Sequence, residues 1–338
     1  MMKRKNYGLL GLLMLLVGCV EEPTVWPNTN KGNFEALWQT IDTRYCYLEY
    51  KAINWDSVKV VYDARVDTVT DQYALFDVLS DMLAELKDGH VNLYSSFDKS
   101  RYWNWFLDYP LNFNPSIIRN HRYLSTDYKI SGGILYRKIA REKIGYMYLE
   151  SFSSGFTPSA IYQIFLHFAD CDGLIIDVRN NGGGALTQAE TLASYFFDAK
   201  TLTGYMAHKN GDAHGAFSQP KPIYTNRDPS IHWAKPVVVL TNRMSYSATN
   251  IFACRMRYAP NATLLGDRTG GGGGLPMSNE LPIGWSVRFS ASPIYDAALN
   301  HIEWGIVPEV REDLDDAMLR NGMDSYIEHA IRIIRPTP

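Results

Sequence analysis

The sequence is poor in cysteine. It holds four, Cys19, Cys46, Cys171 and Cys254, and none stands in CxxC spacing. A disulfide-framed scaffold is therefore excluded. Without Cys19, which belongs to the leader argument below, at most one disulfide can form. Cys171 and Cys254 lie inside apolar segments and read as small core hydrophobes. Charge of one sign is not in excess either, with 33 Lys and Arg against 36 Asp and Glu, a net of -3. No basic stripe offers a nucleic acid an electrostatic footprint. The eight histidines show no HExxH or other close metal-ligand spacing, so neither a metal nor a cofactor is expected. Gly182–Gly184 is not followed by Gly-Lys-Ser/Thr, which rules out a P-loop. The leading apolar run, Gly8 to Gly18, is about 11 residues, short of the roughly 20 that cross a bilayer as a helix.

What is present at the N-terminus is a basic start, Lys3-Arg4-Lys5, then that short apolar run and the segment Leu16-Val17-Gly18-Cys19. This is the pattern of a secretory signal. Its end resembles the bacterial lipobox, in which the cysteine is acylated and becomes the first mature residue. Residues 1–18 read as a lipoprotein signal peptide, Cys19 as the lipidation site, and residues 19–31 as a polar tether. The resemblance implies a lipid anchor in a bacterial cell envelope. The absence of Asp after Cys19 favours the outer membrane, periplasmic or surface-exposed, and Glu21-Glu22 resembles a surface-export signal.

From Asn33 to Lys87 apolar residues recur at helical spacing, as in Phe34, Leu37, Trp38 and Ile41, then Leu75, Val78, Leu79, Met82, Leu83 and Leu86. Lys87-Asp88-Gly89 reads as a helix stop, which sets His90 at a helix-to-strand corner. Residues 95–140 are aromatic and irregular, and too few for an inserted peptide-binding domain of about 80–90 residues. From Ile144 onward strands and helices alternate. Strands are expected at Ile144–Leu149, Gly173–Val178, Pro236–Leu240 and from Thr263, with helices at Ser159–Phe168, Ala185–Phe197 and Ser247–Tyr258. That texture predicts an α/β core with a mainly parallel sheet. The division expected is a helical region over 32–105 and an α/β core over 106–338.

Two strand-to-helix turns carry the chemistry. Asp177-Val178-Arg179-Asn180-Asn181-Gly182-Gly183-Gly184 leaves backbone N–H groups free beside a helix start, a geometry suited to an oxyanion. Asp177 and Arg179 read better as a buried brace of that turn than as catalysts. In Thr241-Asn242-Arg243-Met244-Ser245-Tyr246-Ser247-Ala248, a serine stands where an apolar strand meets a helix. Such a turn presents its hydroxyl at the sheet edge, and the next N–H can serve as an oxyanion donor. A serine there is equally at home as a helix cap.

Taken together, Leu86-Lys87-Asp88-Gly89-His90, the Asp-Val-Arg-Asn-Asn-Gly-Gly-Gly stretch, Ser245-Tyr246-Ser247-Ala248 and Glu303-Trp304-Gly305-Ile306-Val307-Pro308-Glu309 occur in one order over about residues 33–335. This series resembles the C-terminal-processing and tricorn-core serine peptidases. The resemblance implies a ClpP/crotonase-like α/β core with a helical N-terminal region. It implies Ser247 as nucleophile, with Ala248 and Gly183 as oxyanion donors. The C-terminal-processing branch draws its base from a Gly-Lys-Gly segment about 25 residues beyond the serine. Here that stretch reads Asp267-Arg268-Thr269-Gly270 through Gly274, and no lysine follows Lys235. The tricorn-like branch uses a histidine instead, matched by His90, with a glutamate near the C-terminal motif, matched by Glu303.

The expected function is that of a serine-type peptidase acting on peptide or protein substrates, with Glu303 orienting His90. Two alternatives stand beside it. One is a catalytically inactive surface lipoprotein binding peptide or glycan, and the other is an esterase. His301 is a further candidate for the cleft, the Gly270–Gly274 run is expected to be a mobile loop, and the aromatic stretch Tyr102 to Tyr109 is expected to meet substrate.

Overall fold

A computed structural model describes residues 25–336. The signal segment, Cys19 and the Glu21-Glu22 pair lie outside the described residues. Three capped helices come first. Thr29 caps α1 (Asn30–Arg44), Asn54 caps α2 (Trp55–Val66) and Asp71 caps α3 (Gln72–Ala84), each side chain accepting an otherwise unpaired first-turn N–H. Helix α1 already includes Asn30 and Lys31, the last two residues of the expected tether. Next come β1 (Asn92–Tyr94) and the short helices α4 (Asn104–Leu107) and α5 (Pro115–Ile118), then β2 (Lys129–Ser131), β3 (Ile134–Ile139) and β4 (Ile144–Leu149). The alternating part continues with α6 (Pro158–His167), β5 (Gly173–Asp177), α7 (Leu186–Ser194), β6 (Thr201–Met206), β7 (Lys221–Thr225), β8 (Val237–Thr241), α8 (Ala248–Met256) and β9 (Ala262–Gly266). The chain ends in β10 (Gly274–Glu280), β11 (Ser286–Tyr295), β12 (Val310–Arg311), α9 (Asp316–Arg320) and α10 (Ser325–Ile334).

One sheet runs in the order β12-β9-β8-β5-β4-β3-β2. Its strands from β12 to β4 are parallel, and β3 and β2 add an antiparallel edge. Strands β4, β5 and β8 are buried along their whole length. Both faces are covered, which is why they read as unbroken apolar runs rather than alternating ones. On one face lie Ile164 of α6, Leu192 of α7 and Phe252 of α8. On the other lie Tyr326 and Ile327 of α10, with Ile118 and Tyr123.

A second sheet, antiparallel throughout, has the order β1-β11-β6-β7 with β10 also paired to β11. It corrects the division made from sequence. The first three helices do not close a core of their own. Phe34, Leu37, Leu79 and Leu83 pack on Val287, Phe289 and Ala291 of β11, about two hundred residues on. The helix stop also differs. Helix α3 ends at Ala84, and Lys87 rather than Gly89 takes the left-handed conformation, at φ 48°.

Candidate active site

The turns after β5 and β8 lie side by side at the carboxyl ends of adjacent parallel strands, the usual place for function in such sheets. Buried Asn181 joins them. Its Oδ1 accepts from the Gly183 N–H (3.0 Å) and the Thr249 hydroxyl (2.7 Å), its Nδ2 donates to the Leu149 carbonyl, and its own carbonyl accepts from the Tyr246 N–H. Arg179 is fully buried between Asp177 and Asp324 and pairs with both, the brace expected of it.

Ser247 stands immediately before α8 with φ 58° and ψ −119°. A non-glycine residue held there is strained by roughly 1–3 kcal/mol and persists only where its surroundings impose it. They do so here: its N–H donates to the Gly271 carbonyl at 2.9 Å, and its carbonyl accepts from Ile251 at 3.0 Å. The side chain makes no helix-capping bond, so the capping reading falls away. Its Oγ lies 2.8 Å from His90 Nε2, across 157 residues of sequence.

His90 is delivered by the corner between α3 and β1. The Asp88 carboxylate accepts the His90 backbone N–H at 2.8 Å and is itself held by the Tyr45 and Ser290 hydroxyls. Gly89 is required because a Cβ there would press on Trp105 and on the Tyr246 hydroxyl, 2.6 and 2.9 Å away. Burial pushes the imidazole pKa down to about 4; Asp88 opposes the shift, and the charges of Arg288 and Lys51 add to it. His90 Nδ1 is buried without a hydrogen-bond partner.

Glu303 does not hold that nitrogen, which corrects the expected orienting role. One Glu303 oxygen pairs with Lys51 Nζ at 2.7 Å and the other accepts the Gly273 N–H at 2.9 Å. Lys51, which belongs to no motif, is nearly buried and also donates to the Leu86 and Lys87 carbonyls. It stands 3.9 Å from Asp88, so two carboxylates share one ammonium. Burial and the neighbouring Asp88 raise the Glu303 pKa to about 7 against the pull of Lys51. Burial alone would raise Asp88 as well, but Lys51, His90 and the hydrogen bonds leave it below its ordinary value.

Of the expected oxyanion donors, the two differ. The Ala248 N–H, first in its helix, meets no acceptor among the described residues. The Gly183 N–H is spent on Asn181, while Gly182, whose N–H is unengaged among the described residues, lines the cleft. The glycine run is not a loose loop. Gly270 to Gly274 is buried and threads between Ser247 and Glu303, its groups bonded to Ser245, Ser247, Glu303 and Ile294. A Cβ at Gly271 would overlap the Glu303 carbonyl, and one at Gly272 the Tyr246 ring. His301 stacks on Tyr50 with ring centroids 3.9 Å apart and lines neither cavity beside Ser247. Cys46, Cys171 and Cys254 are all free and buried.

The cleft over Ser247 and His90 has a volume of about 360 Å³, with Trp103, Trp105 and Phe106 along one wall. A smaller cavity of about 110 Å³ adjoins it behind Trp105 and Tyr246.

This is an α/β fold with a helical N-terminal region, its serine-bearing turn at the end of a parallel strand. The family model for peptidase family S41 matches residues 143–311, and that for the tricorn protease C1 domain matches residues 27–84. The crystal structure of a candidate peptidase from Parabacteroides merdae is 48% identical, with a TM-score of 0.88, covering 92% of this chain and 98% of that one. The chain belongs to peptidase family S41. A carboxyl-terminal-processing protease of a Picosynechococcus strain is 27% identical over 201 residues, 57% of this chain and 45% of its own. The chain thus spans less than half the length of the curated relatives it first matches. Mature CPAF complexed with lactacystin has a TM-score of 0.66 at 13% identity, covering 90% of this chain and 97% of that one, a likeness of fold alone.

Proposed function

We propose that the chain is a serine-type peptidase that hydrolyses peptide bonds through an acyl-enzyme on Ser247, with His90 as general base. The observation that carries this reading is the 2.8 Å approach of His90 Nε2 to the hydroxyl of a serine in a strained strand-to-helix turn. A helix cap requires neither the strain nor the histidine.

In this mechanism Ser247 Oγ attacks the acyl carbon while His90 Nε2 takes its proton. The oxyanion forms against the Ala248 N–H and the free amide of Gly182, and His90 returns the proton to the leaving amine. Water then repeats the sequence to release the acyl group. An imidazole with pKa near 4 is neutral, and so able to accept the proton, throughout the physiological range. Asp88 acts on His90 through its backbone, and the Lys51–Glu303 pair closes the site from behind. Cys19 would tether the enzyme to the cell envelope by its acyl chains, at the outer membrane. Residues 19–29 would serve as the leash, since the chain is packed from α1 onward.

The decisive experiment applies a fluorophosphonate probe to the soluble chain lacking residues 1–19, alongside Ser247→Ala and His90→Ala. Intact mass and peptide mapping should place the label on Ser247 in wild type and find none in either variant. Absence of label on a folded wild-type protein would overturn the reading.

A silent peptide-binding lipoprotein is the second reading. It is favoured by the partnerless His90 Nδ1 and by the engagement of the Gly183 N–H. It predicts peptide binding by wild type and Ser247→Ala alike, with no label and no cleavage. An esterase would label Ser247 but cleave esters and spare matched amides.

A further inference from the structure

Three cations reach the cleft that holds Ser247 and His90: Lys99 and Arg101 from the segment after β1, and Arg288 from β11. No aspartate or glutamate lines it. The chain as a whole carries a net -3, so this is a local reversal of sign. Arg288 is half-buried opposite Asn92 of β1, with neither an ion pair nor a side-chain hydrogen bond among the described residues. A cation partly removed from water and left without an acceptor is costly unless something arrives to pair with it. Arg288 lines the same cleft as Ser247 and His90, and its charge adds to the lowering of the His90 pKa. Lys99 is half-buried too, lies over the Tyr94 ring and has no ion pair. Arg101 makes an exposed contact with Asp98 at 3.6 Å and lies over the Trp103 ring.

We propose that Lys99, Arg101 and Arg288 form a carboxylate-binding subsite, selecting peptides with a carboxylate next to the bond that Ser247 attacks. The inference rests on the peptidase reading and adds the substrate class. The carboxylate has two sources, an acidic side chain or the free C-terminus of the peptide, and both present the same two oxygens to the Arg288 guanidinium. The rings of Trp103, Trp105 and Phe106, which line the same cleft, would exclude water from that pair and strengthen it.

The test begins with a peptide library digested by the soluble enzyme and read by mass spectrometry. A cleaved sequence from it is then resynthesised with Asp, Asn or Lys flanking the cut, each with a free and an amidated C-terminus. The expected kcat/KM is about tenfold or more higher for Asp than for Asn, and lower still for Lys. The ratio should shrink as NaCl is raised. If the carboxylate is the C-terminal one, amidation abolishes the advantage; if it is a side chain, amidation leaves it.

In a folded Lys99→Gln/Arg288→Gln variant the Asp-to-Asn ratio should fall to about one, and Arg288→Lys should restore most of it. Equal rates for Asp, Asn and free or amidated ends, or a preference for Lys, would overturn the proposal. If nothing is cleaved, the peptidase reading is what has failed, and the subsite is judged by fluorescence anisotropy on Ser247→Ala. Acidic peptides should bind that protein about tenfold more tightly than their amides, and equal affinity would overturn the proposal.

Discussion

The two partners of the candidate site come from regions built on different principles. Ser247 and the glycine turn stand at the ends of parallel strands, and backbone conformation sets them: a positive φ at Ser247, an Asn181 staple and close-packed glycines. His90 comes from the helical region and its antiparallel sheet, where Asp88 holds its backbone and the charges of Asp88 and Lys51 bias it. The buried charges of the parallel side include the Asp177–Arg179–Asp324 cluster, one guanidinium paired with two carboxylates. The antiparallel side holds one ammonium between two carboxylates. One half therefore supplies geometry, and the other supplies charge that can change with pH.

The contrast is sharpest in turnover. Ser247→Ala and His90→Ala, one from each half, should each lower peptide hydrolysis by about a thousandfold or more, and the double variant should be little worse than either alone. Additive losses would mean that the two do not work as a unit.

Stability separates the halves next. Arg179→Met removes the buried cation that pairs with both Asp177 and Asp324, and should cost about 3–5 kcal/mol in denaturant unfolding. Lys51→Met should cost less, about 2–3 kcal/mol, because Glu303 already tends to hold a proton and can become neutral. Adding Glu303→Gln to Lys51→Met should recover part of that loss. Equal costs for the two cations would remove the distinction between a locked cluster and a titrating one.

The pH dependence of melting is a subtler measure. Glu303 has a raised pKa, so between about 4.5 and about 7 the folded protein keeps a proton that the unfolded chain has released, and stability falls as pH rises. His90 has a lowered pKa, so between about 4 and 6.5 the unfolded chain is the more protonated, and stability rises with pH. The two trends oppose each other over most of their range. Wild type should therefore show little change in Tm across it, while Glu303→Gln, freed of the first trend, should melt higher as pH climbs from 4 to 6.5. Superimposable Tm profiles would show that Glu303 keeps its charge in the fold.

Much of this could be read from the chain. The parallel strands and the helices between Ile144 and Gly266 form where expected, within three residues at their ends, because strands buried on both faces leave a clear apolar signal. The partly exposed β6 and β7 left none. Ser247 and His90 were singled out by turn position and motif order. The glycine run misled, because flexibility and tight packing use the same residue; only the neighbours that exclude a Cβ tell them apart. Glu303 was expected to orient His90, but it is buried against Lys51 instead. Lys51 carried no motif at all, and an aromatic-rich helix exit was its only context.

Residue spacing and turn chemistry, then, determined the α/β texture, while the order of the motifs carried the family resemblance, which in turn implied the two residues that meet at 2.8 Å. These are local or ordered along the chain, so they survive in one dimension. Tertiary structure alone decided that β11 closes the core of the first helices, that Glu303 faces Lys51 rather than His90, and that Arg288 reaches the cleft unpaired. Electrostatic partnership depends on distance and burial, and residues far apart in sequence acquire both only when the chain folds.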